Sequence, residues 1–178
     1  MPPAVPLQYA AAPADASAAF PTRTAPVQVW AIGDSVMLGA SHELRNTVRD
    51  MDVDAQVGRQ VPAALKLVRE RKDAHQLPPV VIIHLGNNGT FSAQQFDDMM
   101  KLLQDIPRVV FLTTKVPRKW QEPNNNALTN GVNRYPNARL VDWHARSAEH
   151  PQWFWQDGIH LRPEGAKMYA NLIAMALR

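Results

Sequence analysis

Short runs of apolar residues alternate along the chain with stretches in which apolar positions recur every three or four residues. The first run, Val27 to Ile32, reads as a strand, and Met37, Ala40, Leu44 and Val48 then follow at helical spacing. Asp52 to Val57 is a weaker second strand, followed by a helix with Val61, Ala64, Leu65 and Val68 on its apolar stripe. Pro79 to Leu85 is apolar almost throughout, the pattern of a central parallel strand covered on both faces. Phe96, Met99, Met100 and Leu103 mark a third helix, and Arg108 to Thr114 a fourth strand. Val116 to Asn126, rich in Pro and Asn, reads as a loop leading into a helix; Ala138 to Val141 is a short fifth strand. Pro163 suits the first turn of a last helix, where a missing N–H is harmless. Ala166, Tyr169, Ala170, Ile173 and Leu177 supply its buried face. The alternation predicts an α/β fold, a three-layer αβα sandwich around a parallel sheet with right-handed crossovers.

Composition narrows the setting. The chain has 178 residues, enough for one domain with a sizeable core, and 46% of them are hydrophobic. The formal net charge is only +3, with the basic residues scattered, so a nucleic-acid partner is not expected. There is no cysteine, which removes disulfides, thiolate catalysis and cysteine-bound zinc. The histidines lack the carboxylate spacing of a metal site. Residues 1–26 are rich in Ala and Pro, lack the charged start and apolar core of a signal peptide, and read as a flexible linker. The domain is then expected over 27–178, as a monomer and as a piece of a longer protein.

In a parallel sheet, ligands bind beyond the carboxyl ends of the strands. After the first strand stands Gly33-Asp34-Ser35-Val36, which places a serine at a helix start, where the dipole favours negative charge. Read alone it is an ordinary turn with an N-cap. Gly58, after the second strand, could offer a bare N–H; read alone it is a loop glycine. After the third strand comes Gly86-Asn87-Asn88-Gly89, either an oxyanion-binding amide or a common Asn-Gly turn. Near the C-terminus, Asp157-Gly158-Ile159-His160 is either a carboxylate spaced to orient an imidazole whose other nitrogen faces a serine, or an Asp-Gly turn followed by a surface histidine. Each signal is weak by itself. Together they supply a nucleophile, a base, its orienting acid and three oxyanion donors, the parts required for acyl transfer.

These residues closely resemble the SGNH (GDSL-type) hydrolase superfamily, with Ser35, Gly58, Asn88 and His160 at its four name-giving positions and Asp157 as the acid. The resemblance spans Val27 to Arg178. It implies a flavodoxin-like five-stranded sheet of order 2-1-3-4-5, no metal and no cofactor. Gly89 departs from the pattern by replacing an aspartate that is mainly structural in the family. Four segments resemble the soluble SGNH domains appended to membrane acyltransferases of the acyltransferase-3 type: 84–89, 116–120, 140–143 and 153–160. That family includes peptidoglycan and polysaccharide O-acetyltransferases. The resemblance implies an acyl donor, a glycan acceptor, a membrane acyltransferase part in the same or a neighbouring chain, and a location outside the cytoplasm.

On this reading Ser35, His160 and Asp157 are the catalytic residues, and the N–H groups of Ser35 and Gly58 with the Asn88 amide hold the oxyanion. Whether water or a sugar hydroxyl takes the acyl group is open, leaving esterase and transferase side by side. An inactive carbohydrate-binding module would have no need of all four motif residues. Nucleotide binding would require a glycine-patterned phosphate loop that Gly33-Asp34-Ser35-Val36 lacks. Arg59, Gln60, Trp120 and Trp155 are candidate substrate contacts, while Trp153 suits loop packing equally well. Asp142 suits a helix cap, and His84, inside a buried strand, a satisfied core histidine.

Overall fold

The computed structural model describes residues 28–178; Val27 and the linker expected over 1–26 lie outside the described residues. The element order is β1 (Val29–Gly33), α1 (Ser35–Gly39), α2 (Ser41–Thr47), β2 (Met51–Ala55), α3 (Val61–Asp73), β3 (Val80–His84), α4 (Ala93–Leu102), β4 (Arg108–Leu112), α5 (Gln121–Val132), β5 (Ala138–Val141), α6 (Trp143–Ser147), a 3₁₀ turn (Pro151–Trp153) and α7 (Pro163–Ala176). The five strands form one sheet in the order β2-β1-β3-β4-β5, every neighbouring pair parallel.

Strand residues divide between two cores with the period of two that a pleated sheet imposes. Val29, Ala31, Ile82, Val110 and Leu112 face the layer that contains Met37, Leu44, Trp143, Trp153 and Tyr169. Trp30, Ile32, Val81, Ile83, Val109 and Phe111 face the opposite layer, with Val61, Val68, Phe96, Met100 and Leu128. Burial of β1, β3 and β4 on both faces explains why their sequences read as nearly unbroken apolar runs.

Three differences from the expected elements bear on the site. The single helix expected through Met37 and Val48 is two: α1 ends at Ala40, and Leu44 N–H donates to the Ala40 carbonyl to open α2. Both helices pack on the same face, so the apolar spacing survives the break. The second strand stops at Ala55: Gln56 N–H still donates to the Gly33 carbonyl at 3.2 Å, and its own carbonyl then accepts Arg59 N–H to close a turn. Gly58 occupies that turn at φ 73°, a left-handed backbone that glycine adopts without strain. Finally, the proline- and asparagine-rich loop is shorter than expected. Helix α5 begins at Gln121, and Pro123 falls in its first turn, where no N–H is missed.

Candidate active site

Ser35 opens α1 immediately beyond β1. Asp34 caps that helix, its Oδ1 accepting Val36 N–H at 3.0 Å. A side chain at Gly33 would come within 2.6 Å of Met37, so the tight strand-to-helix turn requires glycine there. First-turn N–H groups of a helix have no intrahelical acceptor, which leaves the Ser35 N–H at the mouth of the sheet.

Asp157 and His160 do not follow a strand. The chain reaches them through α6 and the 3₁₀ turn, then folds back on itself, pairing Phe154 with Leu161 in an isolated antiparallel bridge. Trp155 N–H donates to the His160 carbonyl at 2.8 Å, and Arg162 N–H to the Trp153 carbonyl at 2.8 Å. Buried Phe154 and Leu161 fasten the ribbon to the core. Gly165 lets α7 pass beneath it: a Cβ there would lie 2.2 Å from the Trp153 carbonyl oxygen.

The ribbon brings three side chains into line. His160 Nε2 lies 3.0 Å from Ser35 Oγ, and His160 Nδ1 lies 2.7 Å from Asp157 Oδ2. The other carboxylate oxygen, Oδ1, accepts the N–H groups of Ile159 and His160 at 2.9 and 3.0 Å. Partial burial pushes the Asp157 carboxyl up, but hydrogen bonds from the His160 ring and from these two N–H groups outweigh it and hold it below its ordinary value. With the carboxylate on Nδ1, the imidazole is set in the tautomer whose Nε2 can take a proton from the hydroxyl. About half of each of the two side chains is exposed, 47% for His160 and 45% for Asp157, so solvent and substrate both have access.

Asn88 sits on the loop after β3. Its Nδ2 is buried and makes no hydrogen bond among the described residues. A buried, unused donor is unfavourable unless something else supplies its acceptor. The loop that carries it is held by Asn124 of α5, a residue that the sequence reading placed in a loop. Asn124 is fully buried. Its Nδ2 donates to the Gly86 and Gly89 carbonyls at 3.0 and 2.8 Å, and its Oδ1 accepts Phe91 N–H at 2.7 Å. The cluster Asn124-Asn125-Asn126 was the available signal; three polar residues inside a helix indicate that at least one is bonded elsewhere.

The candidate contact residues fall out differently. Arg59 is buried, and its guanidinium points inward to Asp54 Oδ1 at 2.6 Å and to the Gly33 carbonyl at 3.4 Å. With a further bond to the Asp54 carbonyl, these contacts use three of the five guanidinium N–H groups and brace the Gly58 turn. Gln60 is exposed at the start of α3, close to Gly89. Trp120 is half-buried at the start of α5. Trp153 is buried and stacked against Trp143 and His150. Trp155 stays 52% exposed, with the Arg162 guanidinium 4.9 Å from its ring centre. Asp142 caps α6, accepting Ala145 N–H at 3.0 Å and the Thr113 hydroxyl at 2.9 Å. His84 is buried, with Nδ1 2.8 Å from the Tyr169 hydroxyl.

A parallel sheet of this order carries a serine, a histidine and an aspartate in line beyond its carboxyl edge. In fold the chain is similar to a lipolytic G-D-S-L family protein from Veillonella parvula, with a TM-score of 0.66, 12% identity, and coverage of 83% and 96%. Its fold matches the C-terminal catalytic domain of peptidoglycan O-acetyltransferase A (OatA) from Streptococcus pneumoniae, with a TM-score of 0.72, 24% identity, and 85% of this chain and 93% of that one covered. It also matches a family 3 carbohydrate esterase from Clostridium thermocellum, with a TM-score of 0.67, 15% identity, and coverage of 86% and 99%. In sequence, the chain is 36% identical over 161 residues to the peptidoglycan O-acetyltransferase OatA of Listeria monocytogenes, covering 90% of this chain and 25% of that protein. YrhL of Bacillus subtilis is 40% identical over 151 residues, covering 85% and 24%. The chain thus spans about a quarter of the length of these two relatives. No protein-family model matches it.

Proposed function

We propose that this domain transfers an O-acyl group, most simply acetyl, to a hydroxyl of a cell-wall or surface polysaccharide through an acyl-serine intermediate. The observation that carries the reading is the unbroken line from Ser35 Oγ through His160 to Asp157, at 3.0 and 2.7 Å. Ser35 Oγ attacks the donor's ester carbonyl while His160 Nε2 takes its proton. Asp157 holds the resulting imidazolium. The tetrahedral oxyanion accepts hydrogen bonds from the unused Asn88 amide and from the N–H groups of Ser35 and Gly58. Collapse breaks the bond to the donor's alkoxide, which leaves with the proton from His160, and Ser35 is acylated. A sugar hydroxyl then gives its proton to His160 and attacks the acyl-serine, and the second collapse returns the proton to Ser35.

Similarity to the two OatA proteins supports peptidoglycan as the acceptor and a site of action outside the cytoplasm. The donor would be supplied by a membrane acyltransferase part, in this chain's full-length protein or in a neighbour. Among the described residues, no helix is long and apolar enough to cross a membrane. A second reading, carbohydrate O-acetylesterase, is favoured by the half-exposed His160 and Asp157, which admit water as acceptor.

The test is acetyl release from p-nitrophenyl acetate by the protein and by Ser35→Ala, with and without soluble glycan. Acetylated glycan that depends on Ser35 supports the transferase. Hydrolysis that is indifferent to glycan moves the assignment to esterase. Equal activity of the two proteins overturns the serine mechanism.

A further inference from the structure

Beneath the site runs a row of polar side chains that the acyl-transfer steps do not use. Asp34 and His84 have no exposed surface, Tyr169 none, and Asn87 only 6%. Asn87 Nδ2 lies 3.0 and 3.2 Å from the two Asp34 carboxylate oxygens and 3.4 Å from His84 Nε2. His84 Nδ1 lies 2.8 Å from the Tyr169 hydroxyl, so the ring stands between Asn87 and Tyr169. Among the described residues Asn87 Oδ1 has no partner, so the contacts of this residue run through its amide hydrogens.

The row joins segments far apart in the chain. Asp34 precedes Ser35, Asn87 precedes Asn88, and Tyr169 lies on the helix that follows the His160 ribbon. Helix α1 has only five residues, too few to hold its own geometry, so the backbone at Ser35 depends on its cap. The cap in turn is oriented by Asn87, and Asn87 by His84. Resting on the proposed serine mechanism, we propose that His84 is a positioning residue: through Asn87 it fixes the Asp34 cap of the nucleophile's helix, and through Tyr169 it ties that cap to the element behind His160. Burial lowers the imidazole pKa, against the pull of the Asp34 carboxylate and a Thr113 backbone bond. A purely structural histidine would serve packing equally well anywhere in the core; this one bridges the segments whose relative placement sets the attack geometry.

The test uses Tyr169→Phe, which removes only a hydroxyl, and His84→Gln. For each, kcat and KM on p-nitrophenyl acetate are measured, together with the rate at which methanesulfonyl fluoride labels Ser35 and the thermal midpoint. A positioning role lowers kcat and the labelling rate together, by about tenfold, the equivalent of one net hydrogen bond, while KM stays unchanged. Folded Tyr169→Phe with a lower thermal midpoint but wild-type kcat and labelling would overturn it. A wild-type protein that methanesulfonyl fluoride labels no better than Ser35→Ala would overturn the serine mechanism itself, and this role with it.

Discussion

The Asp54 carboxylate holds the Arg59 guanidinium at 2.6 Å, with the arginine side chain 6% and the aspartate 28% exposed. The pair spans the turn that presents Gly58, and the same guanidinium reaches the Gly33 carbonyl at the end of β1. It therefore sets the distance between the Gly58 turn and the Ser35 turn. Removing one member of a buried pair leaves the other charge uncompensated. Arg59→Ala is expected to cost about 2–3 kcal/mol in urea unfolding, less than a fully buried pair because Asp54 retains some solvent. It should also lower kcat with little change in KM. A loss confined to KM would instead return Arg59 to the role of substrate contact.

Asn88→Ala separates stability from turnover. The Asn88 Nδ2 is buried without an acceptor among the described residues, so its loss removes no hydrogen bond among them. Stability should stay within about 0.5 kcal/mol of wild type or rise slightly. Turnover should fall about a hundred- to a thousandfold, the usual effect of deleting one oxyanion donor. Steady-state kinetics alongside thermal unfolding checks both, and near wild-type kcat would remove Asn88 from the site.

Asn124→Ala should behave in the opposite way. It deletes bonds to the Gly86 and Gly89 carbonyls and to Phe91 N–H, leaving buried backbone groups unpaired. A loss of about 2–4 kcal/mol is expected, together with reduced kcat from a loosened Asn88 loop. Hydrogen exchange should show faster opening of residues 86–91 before the strands are affected.

The buried imidazole predicts a pH dependence of stability. Burial lowers the His84 pKa below its ordinary value of 6.5, with Asp34 and a Thr113 backbone bond pulling the other way. Between the lowered folded value and 6.5, the unfolded chain binds a proton that the native state refuses. This contribution to stability is therefore complete above 6.5 and is lost as pH falls below it. Urea midpoints measured downward from about pH 7.5, as one His unit of linkage allows, should decline more steeply for wild type than for His84→Gln. Parallel profiles for the two proteins would mean that His84 is not the group responsible.

How much of this was legible in the sequence differs from residue to residue. The start of α7 at Pro163 and the buried run of β3 are local properties: proline's missing N–H and an unbroken apolar stretch admit few other placements. Ser35, Gly58, Asn88 and the Asp157–His160 spacing could be picked out because each follows a strand end or precedes the helix that Pro163 opens. The break of the first helix at Ala40 was hidden, since both halves bury the same face and the apolar spacing runs straight through. Nothing local marked Arg59 as turning inward, because an arginine beside a glycine turn reads the same whether it faces solvent or Asp54.

What the sequence determined by itself was the order of strands and helices and the residue types at the carboxyl edge of the sheet. Periodicity and backbone preference act over a few residues, and a few residues are enough to read them. Only the tertiary structure decided that His160 meets a serine 125 positions away, that Asn124 supports the Asn88 loop, and that Asp34, Asn87, His84 and Tyr169 form one buried row. Such contacts depend on which strands pair and on how each side chain turns once water is excluded. Distant groups of opposite hydrogen-bonding need are brought together by that burial, and no local pattern carries the information.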